Sequence, residues 1–192
     1  MSKTIPLTRY IEVSSSSHIV YFFENERIYL ENLMAYIKTG LEQGQHLIII
    51  EQAEVLNKAL QKMNVSEAGK KYIHHYDNSS FYRSYGDFNI ESILNHAMDL
   101  IQPFLDEDVD FRTWSHVKWK DQKDIANKLD QYEGLADGCI GEVGYMCVCA
   151  YDATNVSAEI QTNLMRSHEY IMTDEEFVHS SLYNKKRIQS KK

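Results

Sequence analysis

The chain has 192 residues, 43% of them hydrophobic and 11% aromatic, with three cysteines and a formal charge of −8. That is enough chain for one substantial core and too little for two ordinary domains, and the aromatic content excludes a disordered or collagen-like polymer. No apolar run approaches the ~18–20 residues of a membrane span, residues 1–17 lack the basic and apolar regions of a signal peptide, and an odd cysteine count argues against a disulfide scaffold, so the expectation is a soluble cytoplasmic protein.

A strand–helix rhythm sets in after the serine cluster Ser14–Ser17. His18–Phe23 (HIVYFF) reads as a short apolar strand, and Ile28 to Gln43 as a helix in which Leu30, Leu33, Met34, Ile37 and Leu41 share one face. Glu24 and Glu26 suit its positive N-terminal end and Gly44 its C-cap. His46–Glu51 (HLIIIE) is continuous and apolar, as in a strand buried on both faces of a parallel sheet, and Ala53–Met63 follows as a helix.

Lys71–Asp77 is a third candidate strand. A helix capped by Asn89 then carries Ile90, Ile93, Leu94, Ala97, Ile101 and Leu105 inward, with Pro103 predicting a kink or an early end. Phe111–Trp119 alternates as a fourth strand, a short helix spans about 121–135, and Tyr145–Tyr151 is the most β-like strand. Asn155 or Ser157 caps a last helix with Ile160 and Leu164 inward. Alternation of this kind predicts one α/β domain over 14–183, a mainly parallel sheet with helices on both faces, preceded by an arm (1–13) and followed by a tail (184–192).

The two ends of the charge distribution differ. Residues 185–192 hold five basic side chains and no acid, so the remaining 184 carry 15 basic against 28 acidic groups, a formal −13. An acidic body repels phosphate backbones, so direct DNA binding by the folded part is not expected. The basic tail reads as a solubilising terminus, with an acidic partner or RNA as its alternative.

Ligands of such sheets bind beyond the carboxyl ends of the strands, which here are followed by Glu24–Asn25, Glu51–Gln52, Asp77–Asn78, Trp119–Lys120 and Asp152. The first strand-to-helix turn, Phe22 to Arg27, contains no glycine and two carboxylates, so backbone amides cannot close there around a phosphate. No catalytic residue is assigned, and no cofactor is expected. Cys147 and Cys149 point to one face of a strand and read as packing rather than as a soft-metal site. His74, His75 and Asp77 cannot all share a face, so no metal is assigned to them either. Aromatic side chains with histidine are more suggestive: Trp114, His116 and Lys118 share one face of the fourth strand and Trp119 ends the other, with Tyr21, Tyr145 and Tyr151 on neighbouring strands. Such a wall suits a small, partly apolar ligand, and it equally suits a core or a subunit interface.

The segments Ser17 to Glu26, Gly40–Gly44, Arg112–Trp119, Cys149–Asp152 and His168–Met172 resemble the MEDS domain, the methanogen/methylotroph DcmR sensory domain, in order and in placement over about residues 14–183. The resemblance implies a RecA-like three-layer fold without its phosphate loop, and a sensor of small hydrocarbon derivatives. It implies that His18, Tyr21, Glu24, Trp114, His116 and Tyr151 line or gate the ligand pocket. No helix-turn-helix or kinase module is evident, so signalling is expected to run through a partner protein, a kinase or transcription regulator; a homodimer is left open. The leading expectation is a non-enzymatic, stand-alone sensory module that binds a small organic ligand at the carboxyl edge of the sheet. A ligand-free interaction scaffold and a residual nucleotide-binding or hydrolytic enzyme are the alternatives.

Overall fold

The computed structural model describes residues 4–184. The basic tail therefore lies outside the described residues. Nine strands and seven α-helices follow one another along them. An N-terminal hairpin, β1 (Thr4–Thr8) and β2 (Ile11–Ser14), precedes β3 (His18–Phe23), α1 (Glu26–Glu42), β4 (His46–Ile50), α2 (Ala53–Met63) and the short α3 (Glu67–Lys70). Then come β5 (Ile73–Tyr76), the single turn α4 (Asn78–Phe81), α5 (Ile90–Asp106), β6 (Phe111–His116), α6 (Ile125–Val143) and β7 (Met146–Asp152). A 3₁₀ turn at Ala153–Asn155 leads to α7 (Ala158–Ser167), β8 (Tyr170–Met172) and β9 (Phe177–His179).

Seven strands form one sheet in the order β5-β4-β6-β7-β3-β8-β9, parallel throughout except for the antiparallel β8–β9 pair at one edge. The long apolar runs place β3, β4, β6 and β7 in the middle, where both faces are covered. One face packs under α1 and α2 through Ile19, Tyr21, Leu47, Ile49, Trp114 and Val148. The other packs under α5, α6 and α7 through Val20, Phe22, Ile48, Ile50, Cys149 and Tyr151. The expected three-layer α/β architecture is therefore present.

Several boundaries differ from the sequence reading for identifiable reasons. The arm expected at 1–13 contains the hairpin β1–β2, which docks on α1 and buries Leu7 and Val13. Arg112, itself buried, holds it there: its guanidinium donates to the Pro6 carbonyl at 3.0 Å while Nε donates to Gln45 at 2.6 Å. The helix expected at about 121–135 runs on to Val143 through Gly134, Gly138 and Gly141, because Leu129, Tyr132, Glu133, Asp137 and Ile140 lie buried along it. It ends at Gly144, whose φ of +88° is a left-handed cap. Helix α5 continues past Pro103 to Asp106. Pro103 and Asp99 are both exposed, so the carbonyl left without an amide donor lies on the solvent side of the helix. Ser157, not Asn155, caps α7.

Candidate functional site at the carboxyl edge

Strands β4 and β6 are hydrogen-bonded neighbours, yet β4 leads into α2 on one face and β6 into α6 on the other. A crevice opens where two adjacent connections part in this way. The cleft found there has a volume of about 860 Å³ and is bounded by Phe23, Tyr29, Gln52, His116, Trp119 and Asp152. Its wall mixes acids (Glu26, Glu54, Asp121) with amines (Lys58, Lys118) and hydroxyls (Ser79, Ser84).

Beneath the cleft lies a chain of hydrogen bonds that joins β6, α1 and the end of β4. The Trp114 indole N–H donates to the Tyr29 hydroxyl at 2.9 Å, and Tyr29 donates in turn to the Glu51 carboxylate. Glu51, fully buried, also accepts from its neighbour's amide, Gln52 N–H, at 2.6 Å and sits 3.1 Å from Nδ1 of His116. Burial and the Glu51 charge push the Tyr29 hydroxyl well above the usual tyrosine range, so it stays a donor. With Nδ1 facing a carboxylate, the His116 ring presents Nε2 as its remaining hydrogen-bonding atom. His116 is the partly exposed end of this chain, its side chain 14% accessible.

The six residues that the family resemblance implied do not form one wall. Side chains alternate along a strand, so Tyr21, Trp114 and His116 lie on the α1–α2 face, whereas His18 and Tyr151 lie on the opposite face under α6 and α7. Tyr21 and Trp114 touch edge-on at 5.8 Å, and both stand 5.8–5.9 Å from the Tyr29 ring. Of the six, His116 alone lines the cleft. Glu24 is exposed at the start of the α1 turn. Tyr29 and Glu51 complete the buried network; neither was among the six, and Glu51 was named only as a strand-end residue. The usable signal was Glu51 itself, a carboxylate ending an otherwise apolar buried strand.

On the other face His18 belongs to a second polar cluster. Its Nε2 lies 3.4 Å from the Glu133 carboxylate and 3.4 Å from Cys149 Sγ, and its ring overlaps that of His168 at 3.8 Å. Tyr151 donates its hydroxyl to Glu133. Burial pulls the His18 pKa down, but hydrogen bonds to Asp137, Cys147 and Glu133 leave it well above the ordinary value. Burial with a charged His18 alongside pushes His168 down to about 3. For Glu133 burial raises the pKa, and the facing His18 and His168 more than offset it. His74, His75 and Asp77, to which the sequence reading assigned no metal, go to separate partners: His74 Nε2 meets His46 at 2.9 Å, His75 Nε2 meets the Glu51 carbonyl at 2.8 Å, and Asp77 caps α4.

The turn entering α1 is already satisfied from within. Asp174, in the β8–β9 turn, accepts from the Glu24 and Asn25 amides at 3.0 and 2.9 Å and from the Tyr21 hydroxyl at 2.6 Å. The Asn25 side chain accepts from the amides of Arg27 and Ile28. A carboxylate of the chain itself thus sits where an anion would meet the start of α1. Asp174→Ala is expected to lower stability by about 2 kcal/mol in urea denaturation, because three donors lose a charged acceptor; an unchanged midpoint would contradict this.

Sheet order, covered faces and edge cleft define a RecA-like α/β domain. A KaiC-like protein of the hyperthermophilic archaeon Pyrococcus horikoshii superposes with a TM-score of 0.62 at 12% identity, over 90% of this chain and 81% of its own. The ATPase domain of G40P does so with a TM-score of 0.52 at 9% identity, over 83% and 70%. At these identities the likeness is one of fold. No curated protein sequence matches the chain. The family model for MEDS, the methanogen/methylotroph, DcmR sensory domain, matches residues 17–169, and the chain belongs to that family. Among the described residues no helix is long and apolar enough to cross a membrane.

Proposed function

We propose that this domain is a non-enzymatic sensor that binds a small organic molecule in the carboxyl-edge cleft, and that a partner protein, a kinase or transcription regulator, reads its occupancy. The observation that carries the reading is His116, oriented by buried Glu51 and turned into a cleft of about 860 Å³ at the β4–β6 switch point. Apolar walls from Phe23 and Trp119 with a fixed imidazole suit a compact molecule with one polar head and a short apolar part. The sensory character of the family and the internally satisfied α1 turn both favour binding without a phosphate-centred reaction. Occupancy transmits a signal only to the extent that the ligand binds two conformations with different affinity.

Only two tryptophans are present, one lining the cleft and one at the root of the network beneath it, so intrinsic fluorescence reports on this site. Titration with a panel of short-chain alcohols, ketones and carboxylic acids is expected to give a saturable change for at least one class. His116→Ala, folded by circular dichroism, is expected to weaken that binding about tenfold, the equivalent of one lost hydrogen bond of ~1.4 kcal/mol. No saturable change with any class, or equal affinity in the variant, would overturn the reading.

A further inference from the structure

We infer that His18, Glu133, Cys149 and His168 form a buried binding site for a single zinc-type transition-metal cation, on the sheet face opposite the cleft. Each of these residues offers one ligand atom, and the four atoms lie within 4.8 Å of one another. All four side chains are at most 3% exposed. Sequence alone gave no such signal, because the four are spread from residue 18 to residue 168 without a local ligand spacing.

Three observations point to a cation rather than to a closed hydrogen-bond network. First, Glu133 Oε2 and His168 Nε2 are buried without a hydrogen-bond partner, although they face each other at 3.6 Å. Leaving such atoms unpaired in a core is costly, and a cation between them removes the cost. Secondly, three of the six separations already match: His18 Nε2 to Glu133 Oε2 is 3.4 Å, His18 Nε2 to Cys149 Sγ is 3.4 Å, and Glu133 Oε2 to His168 Nε2 is 3.6 Å, with the rest within 4.8 Å. Bonds of zinc to nitrogen, oxygen and sulfur at tetrahedral angles place ligand atoms about 3.3–3.6 Å apart. Thirdly, the supporting contacts are those of ligands already oriented. His18 Nδ1 points to the Ser167 carbonyl at 3.1 Å and His168 Nδ1 to the Leu164 carbonyl at 2.7 Å, which leaves each Nε2 free to bind metal. The Tyr151 hydroxyl steadies the other Glu133 oxygen.

The charges also balance. A carboxylate and a thiolate neutralise a divalent cation, so the loaded site is neutral; Cys149 gives up its thiol proton as the metal binds, and His18, cationic without metal, gives up its Nε2 proton with it. Imidazole and thiolate together favour zinc, cobalt or ferrous iron over magnesium or calcium. Because the ligands come from β3, β7, α6 and the residue after α7, the cation would fasten α6 and α7 to the centre of the sheet.

The full chain, produced without a histidine tag in zinc-supplemented medium, is expected to carry one zinc per chain by mass spectrometry of the metal, retained through dialysis against a chelator and released on denaturation. Refolding with cobalt(II) is expected to give the visible bands of tetrahedral cobalt and a near-ultraviolet thiolate-to-cobalt band. Cys149→Ser is expected to lose the thiolate band, whereas Cys147→Ser keeps it. His168→Gln, which spares the thiolate, is expected to lower occupancy and shift the visible bands. Substoichiometric metal in the wild type both as purified and after refolding with zinc would overturn the proposal. So would a cobalt spectrum without a thiolate band, or with one that survives in folded Cys149→Ser.

Discussion

Trp114→Ala is expected to destabilise the domain by about 3–5 kcal/mol, the cost of truncating a large aromatic side chain in a packed core. Trp114 is 1% exposed and packs among Tyr21, Tyr29 and Tyr36, with ring centroids 5.1–5.8 Å away. Its removal opens a cavity under α1 and also deprives the Tyr29 hydroxyl of its indole donor. Trp114→Phe keeps much of the volume and drops the N–H, so about 1–2 kcal/mol is expected from the same urea titration followed by circular dichroism. Because Tyr29 holds Glu51, and Glu51 holds His116, both variants are expected to weaken cleft binding as well. A loss below about 1 kcal/mol in Trp114→Ala would mean that α1 collapses onto the vacated space.

The second large effect is expected at Glu133. This carboxylate is fully buried, accepts from Tyr151 and faces His18, whose pKa lies well above its ordinary value. Glu133→Ala leaves that cationic imidazole with Asp137, 3.4 Å from its other nitrogen, as its remaining acidic neighbour. Breaking a buried pair from one side costs about 3–5 kcal/mol, because the other charge stays desolvated. Glu133→Gln retains the volume and an acceptor for Tyr151 and loses only the charge, so an intermediate loss is expected. Measured on metal-free protein, Glu133→Gln reports the lost charge, and Glu133→Ala adds to it the lost Tyr151 acceptor and the vacated volume. Equal stability of Glu133→Gln and the wild type would show that the charge contributes nothing.

The parts of this fold that were legible in the sequence are those with a long, one-sided or fully apolar pattern. HIVYFF, HLIII and MCVCAY announce central strands because both of their faces are buried, and α1, α2 and α7 follow from apolar spacing. The β1–β2 hairpin and the β8–β9 pair were not legible, since their three to five residues neither establish a period nor form a continuous apolar run as HLIII does. Helix α6 was read only to about 135; it runs on through Gly138 and Gly141, whose low helix propensity is overridden by burial of Leu129, Glu133 and Ile140. The edge location of the cleft was legible from strand ends, and so was His116. Glu51 was legible only as a strand-end residue and Tyr29 not at all, because strand register and the docking of α1 decide which residues meet. Parity along β3 already separates His18 from Tyr21, three residues apart, and the structure accordingly divides the six candidates between two faces and an exposed turn.

The central claim is that the cleft between the carboxyl ends of β4 and β6 is where this sensory domain meets its ligand. Amide and indole NMR shifts of the labelled protein, recorded against the same panel of short-chain alcohols, ketones and acids, test it most directly. Binding compounds are expected to move His116, Lys118, Trp119 and Gln52 together, with smaller changes at Tyr29. Shifts confined to the opposite end of the sheet, around Gly44, Asp110 and Gly144, or no saturable shift with any compound, would contradict it.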